Sequence, residues 1–116
     1  MKALIILIFT FGITNLSFGR VSTETAQSRE RFQLALAGAE LQAINGEISI
    51  AAKTLEIVIG GLNKTNYRPK TKVAILKKFF EVKASIEVSL DDDEKRNLET
   101  AVFEFRRSHP ELTQYL

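Results

Sequence analysis

The sequence predicts an all-α protein, a small three-helix bundle in which two shorter helices pack on one long helix. Aliphatic residues recur every seven positions from Leu34 to Leu62, and the segments that follow also show helical periodicity. Gly60-Gly61, Pro69 and Pro110 divide these segments from one another. Apolar residues at helical spacing, bounded by glycine and proline, are typical of packed α-helices.

The N-terminal segment has the three-part layout of a secretory signal peptide. Lys2 gives a positive start, residues 3–13 are almost entirely apolar, and Ser17-Phe18-Gly19 offers small residues where a signal peptidase requires them. The apolar core is shorter than the roughly 20 residues that a membrane-spanning helix needs. We therefore expect residues 1–19 to be a cleaved signal peptide and residues 20–116 to form a single helical domain. A retained N-terminal anchor is the alternative.

The amino-acid composition indicates where the protein is located and which class of partner it does not bind. The chain has no cysteine, so it must be stabilised by packing or by assembly, whereas small secreted eukaryotic domains usually carry disulfides. We expect an exported protein, periplasmic or secreted, with the bacterial periplasm favoured. The formal net charge of +2 gives little general attraction to nucleic acid, and we expect no nucleic-acid partner.

The first helix is expected to run from about residue 24 to residue 59 and to carry two apolar stripes. The first stripe consists of Leu34, Leu41, Ile48, Leu55 and Leu62, together with Ala37, Ile44, Ala51 and Val58. The second stripe consists of Leu36, Ala43, Ile50 and Ile57, with Phe32 and Ala39 beside it. Since a surface helix normally has one apolar face, a helix with two should lie between two neighbours. These neighbours would belong to its own chain or to a partner.

Asn45-Gly46 is a turn signal in the middle of this expected helix. A turn there would have to keep both stripes in register by accident, so we expect a continuous or mildly kinked helix. Gly60-Gly61 should then end it, because glycine is favoured just after a helix C-terminus.

Two shorter helices are expected after the loop that precedes Pro69. The second covers about residues 70–88, and the third covers about residues 90–108, with Ser89 as its N-cap. The third helix has a narrow apolar stripe of Leu98, Ala101, Val102 and Phe105. In the tail, Leu112, Tyr115 and Leu116 are placed to fold back on the bundle.

The polar residues point to no catalytic, cofactor or metal site. Asp91 to Glu94 lacks the glycine and glutamate positions of a helix–loop–helix calcium loop, and we expect these acids to cap a helix. His109, the single histidine, is expected at the surface at the end of the third helix. We therefore expect a protein that is not an enzyme and binds no cofactor or metal.

The double-striped helix indicates a protein that works through protein–protein contacts, such as an adaptor, a chaperone-like protein or an inhibitor or immunity-type binder. The expected partner is another protein or a second copy in a homodimer. The predicted partner-binding residues are Phe32, Leu36, Ile50 and Ile57 as apolar anchors, with Lys77 and Lys78 as steering charges. The alternative is a membrane-active or lipid-binding protein, in contact with a membrane through a retained N-terminal segment or through amphipathic helices.

Overall fold

The computed structural model describes residues 24–115, and this part of the chain is helical with no strand. The elements are α1 (Ala26–Ile44), α2 (Ile48–Asn63), α3 (Pro69–Ile86), a 3-10 helix (Glu87–Ser89), α4 (Asp92–Ser108) and a C-terminal 3-10 helix (Pro110–Tyr115). The all-α prediction is confirmed. The predicted signal peptide at residues 1–19 lies outside the described residues.

The predicted long helix is divided in two, and that prediction is wrong. Gly46 adopts a left-handed conformation with φ of 81°. Its N–H donates to the carbonyl of Ala43 at 3.1 Å, and the N–H of Glu47 donates to the carbonyl of Gln42 at 2.8 Å. These two bonds form a Schellman motif, which ends α1 because glycine reaches positive φ without a steric penalty. The described residues therefore form four α-helices instead of three.

α2 is the central helix, since it packs against α1, α3 and α4. It also continues past Gly60-Gly61, where an end was predicted, to Asn63. Gly61 and Leu62 are buried, so packing of this last turn outweighs the low helix propensity of the two glycines. The helix ends where the Thr65 hydroxyl donates to the carbonyl of Leu62 at 2.8 Å.

The starts of α3 and α4 follow different signals in the sequence. Pro69 occupies the first turn of α3, as predicted. The predicted N-cap Ser89 is wrong, because Ser89 belongs to the short 3-10 helix and Asp91 caps α4 instead. The Asp91 carboxylate accepts from the N–H of Glu94 at 2.7 Å, and the Glu94 carboxylate accepts from the N–H of Asp91 at 3.0 Å. This capping box confirms the helix-capping role expected for the acidic run.

The core draws on all four α-helices. Its largest fully buried side chains are Phe32, Leu36, Leu55, Ile59, Leu62, Ile75, Leu76, Phe79, Ile86, Leu98, Phe105 and Leu112. The predicted stripe of α4 is confirmed at Leu98, Val102 and Phe105, with Ala101 half-buried. Within the tail, Leu112 folds back into the core while Tyr115 stays exposed.

Glu24 ties the beginning of α1 to the beginning of α3. Its carboxylate accepts hydrogen bonds from the backbone N–H of Arg68 at 2.8 Å, from the Arg68 guanidinium at 2.8 Å and from the Thr71 hydroxyl at 3.0 Å. Arg29 adds an ion pair at 2.9 Å. The hydrogen bonds from the Arg68 side chain and backbone lower the pKa of Glu24 from 4.5 to about 2.

Candidate protein-binding surface

The first stripe is split by the turn at Gly46 into an exposed half and a buried half. On α1, Leu34 is 59% exposed and Ile44 is 75% exposed. On α2, the same stripe forms the centre of the core through Ala51, Leu55, Val58 and Leu62. One heptad pattern in the sequence therefore supplies surface residues on α1 and core residues on α2.

The turn at Gly46 also divides the second stripe, but here the α1 half is buried and the α2 half is partly exposed. On α1, Phe32, Leu36 and Ala39 are buried. On α2, Ile50 is 37% exposed and Ile57 is half-buried. The predicted anchors Phe32 and Leu36 therefore belong to the core of the chain, and a partner cannot reach them in this fold. The chain reverses direction at Gly46, so α1 and α2 face the core with different sides, and each helix buries a different stripe.

The register of the α1–α2 hairpin places the exposed halves of both stripes together. The Thr54 hydroxyl of α2 donates to the Gln42 side-chain oxygen of α1 at 2.9 Å, and both residues are buried between the helices. Gly38, one turn before Gln42, is buried on the same side of α1.

Helix geometry then locates the exposed and half-buried aliphatic residues of the two stripes. Leu34 and Leu41 lie four residues before and three residues after Gly38, so both flank it on the surface of α1. Ile50 and Ile57 flank Thr54 in the same way on α2. These four residues border the line of contact between the two helices, on the side away from the core. We name them, together with Ile44 near the turn, the outer hairpin face.

The predicted steering charges both lie on α3. Lys78 of α3 pairs with Glu40 of α1 at 2.9 Å, and the hydrogen bond to Glu40 raises the pKa of Lys78. Lys77 is exposed, and within the described residues it makes no ion pair. The predicted set is therefore divided between the core (Phe32, Leu36), the outer hairpin face (Ile50, Ile57) and α3, where Lys78 pairs with α1 and Lys77 is exposed.

Sequence reasoning missed Leu34 and Ile44 as surface residues. Both belong to the first stripe, whereas the predicted anchors come from the second stripe. The signal that could have found them is Asn45-Gly46, because a reversal there exposes one half of each stripe. Leu41, between them on α1, is half-buried.

His109 is also placed differently from the prediction, since it is buried and not a surface residue. Its ring stacks on Phe105 with the ring centres 4.1 Å apart, and its Nε2 lies 2.7 Å from Nζ of Lys72. The sequence contains no signal for this contact, because Lys72 is on a different helix. The C-terminal 3-10 helix, which begins directly after His109, packs against both α3 and α4.

The described part of the chain contains neither a metal-binding cluster of acidic or histidine side chains nor a membrane-spanning helix. Among residues 24–115, no cluster of three or more histidine or acidic side chains has an arrangement that could hold a metal ion. None of the helices in this range is sufficiently long and apolar to cross a membrane.

Comparisons with known proteins found no similar protein. No protein-family model matches the chain, no curated protein matches it, and no solved structure matches it.

Proposed function

We propose that this chain is an exported, non-enzymatic helical protein that binds a partner protein through the outer hairpin face. The single observation that carries the proposal is the position of Leu34, Ile44 and Ile50. These aliphatic side chains are 59%, 75% and 37% exposed although they belong to regular apolar stripes. Exposed apolar residues grouped on one face are typical of interaction sites.

The spacing of these residues favours a helical partner. Leu34, Leu41 and Ile44 lie on one side of α1, and Ile50 and Ile57 lie along the neighbouring edge of α2, with the helix contact between them. An amphipathic helix recognises such a surface by placing its own apolar side chains, one per turn, between two rows. The partner would be another protein or a second copy of this chain.

Export supports the same proposal. A signal peptide at residues 1–19, cleaved before Arg20, would deliver the chain to a periplasm or to the medium, with the bacterial periplasm favoured because the chain has no cysteine. In that compartment a domain without disulfides depends on packing, and its outer face is free to meet other exported proteins.

The cleavage is tested by production of the entire sequence in a bacterial host, followed by mass measurement of the periplasmic product. We expect a chain that begins at Arg20. A product that keeps residues 1–19 and stays with the membrane would contradict export by cleavage and favour the anchor.

The binding face is tested by photo-crosslinking from three exposed apolar positions in producing cells. A crosslinker at Leu34 or Ile50 should capture the same protein, and a crosslinker at Val88, which is 93% exposed in the 3-10 helix after α3, should not. Equal capture from all three positions, or from none, would overturn the proposal.

Two further measurements separate the classes of partner. Light scattering of the purified protein shows whether the captured protein is a second copy. Flotation with anionic vesicles tests the lipid-binding alternative. If the protein floats with the vesicles, if the Leu34→Ser, Ile50→Ser double variant does not, and if Val88→Ser still does, the outer hairpin face binds a membrane surface instead of a protein.

A further inference from the structure

Lys72 and His109 form a buried pair of basic groups between α3 and the C-terminus. Lys72 Nζ lies 2.7 Å from His109 Nε2, and the two residues are only 8% and 6% exposed. Two basic side chains at this distance are compatible with each other only if one nitrogen accepts a hydrogen bond from the other. The contact therefore restricts which nitrogen atoms of Lys72 and His109 carry protons.

The hydrogen bonds define the tautomer of the histidine. An ammonium group can only donate, so Nε2 of His109 must accept from Lys72. The remaining ring proton is then on Nδ1, which lies 3.0 Å from the carbonyl oxygen of Phe105 and donates to it. Stacking on the Phe105 ring, with the planes 9° apart, fixes the orientation of the imidazole. With Lys72 as an ammonium group, this set of hydrogen bonds is that of a neutral ring.

His109 is also the joint between α4 and the C-terminal 3-10 helix. Its backbone N–H donates to the carbonyl of Arg106 at 3.2 Å, and its own carbonyl accepts from the N–H of Leu112 at 3.0 Å. Leu112 is buried in the core. The contact with Lys72 thus connects α3 to the segment that carries Leu112.

The segments that carry the pair also carry charges of both signs. The C-terminal 3-10 helix contributes Glu111, which is exposed, and the last turn of α4 adds two cations, Arg106 and Arg107. On α3, Arg68 lies one turn before Lys72 and is paired with Glu24. Burial lowers the pKa of Lys72, and the negative charge of Glu111 opposes this effect.

We propose that Lys72 and His109 form an acid-sensitive clasp, which holds the C-terminal 3-10 helix against α3 at neutral pH and releases it when the imidazole becomes cationic. A protonated ring would direct Nε2–H at the ammonium group, and two cations at hydrogen-bond distance repel each other strongly where water is excluded. In the open form the imidazole is free to take up its proton. Acid therefore favours opening, and this inference does not depend on the proposed binding function.

The clasp is tested by amide hydrogen exchange of the exported protein between about pH 7.5 and 4.5, corrected for intrinsic exchange rates. The opening equilibrium at Leu112 should rise by up to about tenfold per pH unit as the pH is lowered across this range, the limit for uptake of one proton. Amides of the α2 core, around Leu55, serve as the internal reference and should keep their protection.

Variants identify the groups responsible. His109→Gln can accept a hydrogen bond from Lys72 but cannot become cationic, so its opening should be independent of pH. Lys72→Met removes the opposing cation and should reduce the pH dependence. The matched control Lys77→Met makes the same change at an exposed position of α3 and should behave as the wild type.

Nitrogen-15 chemical shifts of His109 in the wild type test the tautomer without any variant. We expect the proton on Nδ1 at neutral pH. The proposal is overturned by a proton on Nε2, by pH-independent exchange at Leu112 in the wild type, or by a His109→Gln protein that opens in acid as the wild type does.

Discussion

At the scale of single residues, Glu24 and the Lys72–His109 pair show how a few polar groups join segments that are distant in sequence. Glu24 connects the start of α1 to Arg68 and Thr71 at the start of α3. The histidine connects the end of α4 to Lys72 in the first turns of α3. Both ends of the described chain are therefore attached to the same region of α3.

Glu24 makes a definite prediction for the pH dependence of stability. Its pKa falls from 4.5 to about 2 in the folded chain, so its stabilising effect is complete above about pH 4.5 and is lost as the pH falls toward about 2. Glu24→Gln should lower the denaturation midpoint at neutral pH, and the gap to the wild type should close over this acid range.

Urea denaturation of both proteins at a series of pH values measures this gap. The control is Glu99→Gln, which removes an exposed carboxylate from α4. A gap that stays constant from neutral pH down to about pH 2 would show that the hydrogen bonds from Arg68 do not favour the charged carboxylate.

At the scale of elements, the decisive feature is the turn between α1 and α2. Its left-handed residue is Gly46, with φ of 81°, and a Cβ built there would meet no atom within 4 Å. A side chain at this position is therefore opposed only by the backbone conformation. A Cβ at Gly60 also has open space, but Gly60 lies within α2, where the helical backbone conformation favours a side chain.

These two glycines give a matched pair of substitutions. Gly46→Ala should lower the free energy of unfolding by about 1 kcal/mol, because a left-handed conformation is unfavourable for an L-residue. Gly60→Ala should raise the free energy of unfolding by up to about 1 kcal/mol, because alanine has the higher helix propensity.

Chemical denaturation of the two variants distinguishes the divided helix from a continuous one. If α1 and α2 were one helix through Gly46, both alanine substitutions would stabilise the protein. Destabilisation at residue 46 together with stabilisation at residue 60 is the result that the structure requires.

At the scale of the whole molecule, the fold distributes equivalent leucines between the core and the surface. Leu34 and Leu55 occupy the same position of one heptad pattern, yet Leu34 is 59% exposed and Leu55 is completely buried. Since the sequence has no cysteine, the packing of residues such as Leu55 carries the stability of the fold.

Leucine-to-alanine substitutions at these two sites should therefore differ strongly. Leu55→Ala should lower the free energy of unfolding by about 2–5 kcal/mol, through lost burial and a residual cavity. Leu34→Ala should change it by no more than about 0.5 kcal/mol, as is usual for exposed positions. Thermal or urea denaturation measures both, and similar losses at the two sites would show that the first stripe is a core seam over its whole length.

Much of the fold could be predicted from local signals. The all-α class, Pro69 in the first turn of α3, the stripe of α4 and the capping role of the acidic run all follow from periodicity and from residues within one turn of each other. Such signals are local, and the forces behind them act between neighbours along the helix. They were correct because nothing elsewhere in the chain opposes them.

The candidate site could be predicted only in part. Ile50 and Ile57 lie on the outer hairpin face and their role as anchors stays a prediction, whereas Phe32 and Leu36 are in the core and the exposed Leu34 and Ile44 were not predicted. The pattern of the stripes is the same whether the helix continues or reverses at Gly46. The sequence could therefore identify the apolar residues without assigning them to the inside or the outside.

By itself, the sequence determined the helical class and the two apolar stripes, because helix periodicity and capping depend on near neighbours. It also contains the export pattern in its first nineteen residues, which remains a prediction. Only the tertiary structure decided that the stripes exchange roles at Gly46, that Glu24 joins α3, and that His109 meets Lys72 in the interior. Each of these depends on contacts between residues far apart in the chain, and such contacts form only when the helices pack to bury the most apolar surface.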